Sequence, residues 1–462
     1  APSGARVFFV ETHALPMLDV QIDFAAGTAY DPPGKAGTAA LTQTVIDLGA
    51  EGMDETAISN RLADLGAMLS GDIDRERASI GLRTLSAEDK RTPALNVLRA
   101  VLSTPQFPEA VFEREQARSV AALKESLTQP DTIANRAFWA ALYPDHPYGV
   151  SATPESVAAV QRNDLVEYHR QHFTARRAVV SIVGDVTRAQ AETLAQHLTE
   201  ALPTSEQGTT IASPPPPSGK EERIAHPSSA QAHLMLGTQA LKRGDPDFFA
   251  LQVGNYTLGG GGFVSRLMKE VREMRGYAYS VHSYFIPMTH PGPFRINLQT
   301  KKTQANEALA LTRKVLTDFL RDGPNEAEIK AAKQNLIGSF PLNLDTNRKI
   351  LDNVAIIGFY GLPLDYLDHY AENIRRRYQG RLCPPRRSQA PGHGAGGGRV
   401  KIKRTSCVHE QPAHHRRPVA GTALMLSRCG GAAPDAGSCA RNAFQLARAE
   451  SGRTHLPRPV CW

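Results

Sequence analysis

No cysteine precedes Cys383 in this chain of 462 residues; Cys383, Cys407, Cys429, Cys439 and Cys461 all stand near the C-terminus. The body of the protein therefore has neither a disulfide framework nor a thiol nucleophile. Long apolar runs are missing as well: none approaches the roughly 20 residues of a membrane-spanning helix. Basic excess is missing from the body too. The formal net charge is +7, from 53 Lys and Arg against 46 Asp and Glu, yet 16 of the basic and only three of the acidic residues lie from Arg376 onward. The residues before Arg376 carry 37 basic against 43 acidic groups, which argues against a nucleic-acid-binding body. The basic tail lacks the interleaved aromatics of a nucleic-acid platform.

What is present is enough chain for two or three cores. Strands are predicted over 5–10 and 17–26; in the second, Leu18, Val20, Ile22 and Phe24 alternate with Asp19, Gln21 and Asp23, the pattern of a sheet with one wet face. Helices follow over 37–48 and 55–67, strands over 68–74 and 77–86, then helices over 87–102, 109–127 and 130–142. Thr153-Pro154-Glu155 caps a short helix, another ends near His172, and a strand (177–186) and a helix (187–201) close the unit. Pro203 to Lys220 has linker composition. The plan then restarts with a strand (229–240), a helix (246–258), strands (278–287, 293–300) and helices (303–321, 324–339, 344–359, 363–375). The order implies an α+β protein of two similar units, 1–205 and 220–375, each a mainly antiparallel sheet covered by helices. A linker, 206–219, joins them, and 376–462 is a tail of different character.

Between the first helix and the second strand of the second unit lie four glycines, Gly259, Gly260, Gly261 and Gly262. Each adds backbone entropy without packing, so the run is expected to be a loop rather than a helix or strand interior. Phe263, Leu267, Met268 and Val271 have helical spacing, Gly276 suits a left-handed cap, and Tyr277–Ile286 reads as a strand. Arg272 and Tyr279 are thus brought across one tight corner. A phosphate cradle would need a Gly-Lys-Ser/Thr that is absent here. A plain turn, with a surface Arg and a packed Tyr, fits the residues alone. The run Ser265-Arg266-Leu267, then Val271-Arg272-Glu273, then Gly276-Tyr277-Ala278-Tyr279-Ser280 resembles the second half of the insulinase-family zinc peptidases, which include pitrilysin and the mitochondrial processing peptidase. The resemblance implies a clam-shell, of which this chain is one half, and a role in peptide cleavage.

Active members of that family carry His-x-x-Glu-His on the first helix. Two imidazoles four residues apart lie on one helical face and share a tetrahedral zinc ion, and the Glu activates the bound water. Here Phe24 to Gly37 resembles the family's lead-in, and the motif then falls on Ala40-Leu41-Thr42-Gln43-Thr44. Both histidines and the base are replaced, by Ala40, Thr44 and Gln43. The downstream Glu ligand falls near Ala121, one helical turn from Glu125. Other histidines offer little: His169 and His172, with Glu167 nearby, read as a packed helix end, and His146 as a turn residue. His13 and His290 have no partners in sequence.

The resemblance, over roughly 5–375, implies a non-catalytic subunit. It would bind substrate through the glycine loop and supply Arg272 and Tyr279 to an active site whose zinc a homologous partner chain holds, with no cofactor of its own. The alternative is a structural protein of the same fold, like the core subunits of respiratory complexes. The opening Ala1-Pro2 suits a processed N-terminus and an exported, periplasmic setting. After Ile374 the strand that should repeat Ala178–Gly184 does not appear. A shifted reading frame or a disordered basic extension would both produce such a tail. A frame shift further predicts a second sheet short of one strand.

Overall fold

The computed structural model describes residues 1–204 and 210–376; the tail from 377 lies outside them. The N-terminal sheet has five strands in the order β1-β7-β2-β6-β5, comprising β1 (Arg6–Glu11), β2 (Met17–Phe24), β5 (Met68–Ile73), β6 (Ala78–Leu85) and β7 (Val179–Gly184). Only β1 and β7 run parallel. A two-residue ribbon, β3 (Gly49–Ala50) with β4 (Met53–Asp54), lies apart. The C-terminal sheet runs β8 (Gln231–Gln239), β10 (Pro293–Lys301), β9 (Ala278–Phe285), all antiparallel.

The helices are α1 (Thr38–Val45), α2 (Glu55–Leu65), α3 (Glu88–Ser103), α4 (Glu109–Ser126), α5 (Pro130–Leu142), α6 (Pro154–Ala158), α7 (Arg162–His172) and α8 (Arg188–Thr199). After the linker come α9 (Phe248–Asn255), α10 (Ala305–Asp322), α11 (Glu326–Ser339), α12 (Asn347–Tyr360) and α13 (Tyr370–Arg375). The α+β plan is as the sequence predicts, apart from the small ribbon and a last helix that begins at Tyr370 rather than near 363.

Leu18, Val20, Ile22 and Phe24 are wholly buried in a core with Ile80, Leu82, Val180 and Ile182. Each such side chain contributes about 1.5–3 kcal/mol. The opposite face of β2 is not wet, which corrects the expectation. Asp19, Gln21 and Asp23 are buried as well, because α12, more than 300 residues along the chain, crosses β1, β7 and β2. The cover is close: a Cβ on Gly358 would stand 2.7 Å from Phe8 and Val179 side chains. In return α5 crosses onto β8, where Gly237 leaves room for the Phe138 ring. Each sheet thus has its polar face covered by a helix from the other half.

Buried Glu76, in the β5–β6 turn, ties these pieces together. It accepts from the hydroxyl of Tyr148, from that of Tyr360 at the end of α12 (3.0 Å), and from the backbone N–H of Thr289 (3.0 Å). The order β8-β10-β9 repeats β2-β6-β5. Beside β2 the N-terminal sheet continues with β7; beside β8, among the described residues, no strand follows. A counterpart of β7 would come after α13, beyond the described residues.

Candidate functional site

The glycine corner is more helical than its composition suggests. Chain from α9 continues through a π-type turn, Tyr256–Gly260, so Gly259 and Gly260 extend a helix rather than break it. The reason is space. A Cβ on Gly259 would lie 2.5 Å from Ser283 Oγ and 2.7 Å from its backbone nitrogen, so only glycine lets this turn touch β9. Asn255 clamps the same contact, donating to the Ser283 carbonyl (3.0 Å) and accepting from its hydroxyl (2.6 Å). The chain reverses at Gly262, whose φ of +61° favours glycine.

The matched triplet Ser265-Arg266-Leu267 builds the next turn. Ser265 bonds back to the Gly262 carbonyl (2.6 Å), Leu267 is buried, and Arg266 forms a two-pronged pair with Glu328 (2.8 and 2.6 Å). A second π-type stretch, Met268–Glu273, is followed by a turn that reverses, as expected, at Gly276, with φ +64°. Leu267, Met268 and Val271 face the core, whereas Phe263 is 65% exposed, a departure from the packed role its spacing implied.

Arg272 and Tyr279 do meet across this corner. The Arg272 guanidinium lies against two rings, 4.7 Å from the centroid of Phe263 and 5.1 Å from that of Tyr279. Such cation–π contacts hold the cation in place without engaging its N–H groups. No hydrogen bond or ion pair holds Arg272 among the described residues. Tyr279 is 81% exposed because the strand slips there. Gln299 faces Ser280 and Thr300 faces Ala278, leaving Tyr279 as the extra residue of a β-bulge. Bulges re-aim a side chain in this way. The result is a surface with a planar fork of free donors and a phenol beside it, suited to carbonyl or carboxylate oxygens.

The corresponding first-half position is closed. On α1, Gln43 donates to the Ser79 carbonyl (3.1 Å) and fills the space over Gly71, and the Thr44 hydroxyl donates to the Ala40 carbonyl (2.8 Å). Ala40 offers no lone pair, and Ala121 is an exposed methyl on α4. These residues do not fit a zinc ion. Among the described residues no group of three His, Cys, Asp or Glu side chains could hold a metal.

The histidines singled out in the sequence have partners within the fold. His169 donates to the Leu102 carbonyl (2.8 Å), His172 stacks on Tyr168, and burial lowers both pKa values to about 4, so both rings stay neutral. His146 caps the turn at Tyr148, as read. Partners invisible in sequence appear for His13, between Asp185 (2.6 Å) and Glu11 (3.1 Å), and for His290, at the Ile211 carbonyl (2.7 Å). Phe263 was the residue of the corner whose role sequence reasoning missed; an aromatic directly after a glycine run was its only signal.

The profile of the peptidase M16 inactive domain matches residues 159–336. A crystal structure of a peptidase M16 inactive domain from Pseudomonas fluorescens is 36% identical, with a TM-score of 0.78 over 81% of this chain and 90% of that one. The chain belongs to the M16 peptidase family. A relative in Helicobacter pylori named non-peptidase homolog YmxG is 27% identical over 80% of this M16 chain and 85% of its own length. The mitochondrial-processing peptidase subunit beta of Bos taurus is 24% identical over 76% and 73%. The matches are in keeping with the insulinase-family resemblance. No helix of the described residues is long and apolar enough to cross a membrane.

Proposed function

We propose that this M16 chain is the substrate-binding, zinc-free subunit of a two-chain peptidase. The observation that carries the reading is Arg272, held against Phe263 and Tyr279 with no side-chain hydrogen bond among the described residues, while the zinc-motif positions hold Ala40, Gln43 and Thr44. In this reading the partner is a homologous chain that brings the metal. This chain's part is electrostatic. The Arg272 fork and the Tyr279 hydroxyl orient a peptide carbonyl and stabilise charge developing on its oxygen, each such donor contributing about 2–4 kcal/mol. Gly260, Gly261 and Gly262 support this by presenting no side chains to obstruct a substrate backbone, whereas Gly259 is buried against Ser283. An exported, periplasmic setting belongs to the same proposal.

The test is reconstitution. The purified chain alone should cleave no peptide. Mixed with a homologous M16 chain that carries His-x-x-Glu-His, it should confer peptidase activity that neither shows separately. A stable pair without activity would instead support the structural reading, in which the shell serves assembly.

A further inference from the structure

The two covered polar faces differ in how their charges are balanced. Under α12, Asp19 pairs with Arg83 (2.7 Å) and Asp23 with Arg77 (3.4 Å). Under α5, the alternation of β10 sets Arg295, Asn297 and Gln299 on the face opposite the core residues Phe294, Ile296 and Leu298. Arg295 is only 7% exposed, yet no carboxylate pairs with it among the described residues. Its Nη1 donates to Asn135 Oδ1 (2.8 Å), its Nη2 to Met235 Sδ (3.0 Å) and its Nε to Asn297 Oδ1. A thioether is a weak acceptor, and two of the five guanidinium N–H groups have none. Burial accordingly lowers the Arg295 pKa, the mark of a cation short of its anion.

A cavity of about 410 Å³ opens on this guanidinium, lined also by Asn297, Gln299, His233, His282 and Asp131. Its size is that of a small-ligand site. Burial lowers the pKa of both imidazoles, and Arg295 lowers that of His282 further, so both add hydrogen-bonding capacity rather than charge near neutral pH. The Arg295 guanidinium is the one permanently charged donor of the lining. We propose that this cleft binds a carboxylate, the free C-terminus of a short peptide, on the Arg295 fork. The site shares no residue with the Arg272–Tyr279 pair and stands whether or not that pair acts in catalysis.

Calorimetric titration of the full chain with tri-alanine tests it. Tri-alanine should bind, and its C-terminal amide should bind at least about tenfold more weakly, the loss of one charge-assisted contact. Arg295→Gln should abolish the binding. Because that variant could also unfold, Asn297→Asp provides a second arm. It places a carboxylate beside Arg295 from within, so it should raise Tm above wild type and remove tri-alanine binding. No binding of tri-alanine, equal affinity for acid and amide, tighter binding of inorganic phosphate, or an Asn297→Asp chain of lowered Tm that still binds tri-alanine would each overturn the assignment.

Discussion

Helices α1 and α9 both follow the first long strand of their half, and their surroundings have gone opposite ways. On α1 the donors at the zinc-motif positions are engaged within the fold: Gln43 on the Ser79 carbonyl, and the exposed Thr44 hydroxyl on its own helix. Beyond α9 the chain overwinds, reverses at Gly262, and displays Arg272 and Tyr279 with their donors free. The difference separates fold from chemistry. At α1 the donors are spent on backbone carbonyls of the fold; at the glycine corner the Arg272 and Tyr279 donors have no such partner among the described residues.

Four substitutions break or sharpen that contrast, taken from the largest expected effect. Glu76→Ala strands the hydroxyls of buried Tyr148 and half-buried Tyr360 and the Thr289 N–H, and should cost about 3–5 kcal/mol in denaturant unfolding. It should loosen both halves together, since Glu76 joins them. Asp23→Asn sharpens the account of the covered face. Burial raises the Asp23 pKa from 3.8 to about 6, so the folded state holds this proton more tightly than the unfolded one. Its contribution is present below about pH 4 and is lost as the pH rises through 6. Relative to wild type, the Asn variant should therefore gain on the order of 1–3 kcal/mol between pH 4 and 7, measured as unfolding midpoints across that range. A variant whose advantage shrinks with rising pH would show the sign to be wrong.

Gly259→Ala forces a methyl into the Ser283 contact and should destabilise by about 1–3 kcal/mol, with the corner's geometry disturbed as well. Phe263→Ala is the mildest. Losing one of the two rings should cost about 0.5–1 kcal/mol of Arg272 placement, seen as a few-fold lower kcat in the reconstituted pair at unchanged Tm. An unchanged kcat would mean that Tyr279 alone positions the guanidinium.

The order of elements was legible because local burial leaves period-two and period-3.6 traces, and β2, α4 and α5 fall close to where those traces end. The meeting of Arg272 and Tyr279 was legible too, because Gly276 marks the corner between their elements. Other features depend on distant chain. The alternation of Asp19, Gln21 and Asp23 reports a polar face but not the helix that covers it. Gly259 reads as a breaker because its tight neighbour, Ser283, belongs to another element. Glu76 is an ordinary turn acid until Tyr360 arrives from α12. Arg295 likewise reads as a strand's polar alternate, and only the packing of α5 reveals that it is buried without a carboxylate.

The central claim, that this chain contributes chemistry through the corner and none through α1, is tested most directly by steady-state kinetics on reconstituted pairs carrying Arg272→Ala, Arg272→Lys or Tyr279→Phe. The account predicts that pairs form normally and that kcat falls by about 100-fold or more for Arg272→Ala. Arg272→Lys should recover little of this, because an ammonium lacks the planar fork, and a loss confined to KM would reassign the pair to substrate binding alone. Wild-type rates from all three folded variants would contradict the account and leave the corner a turn.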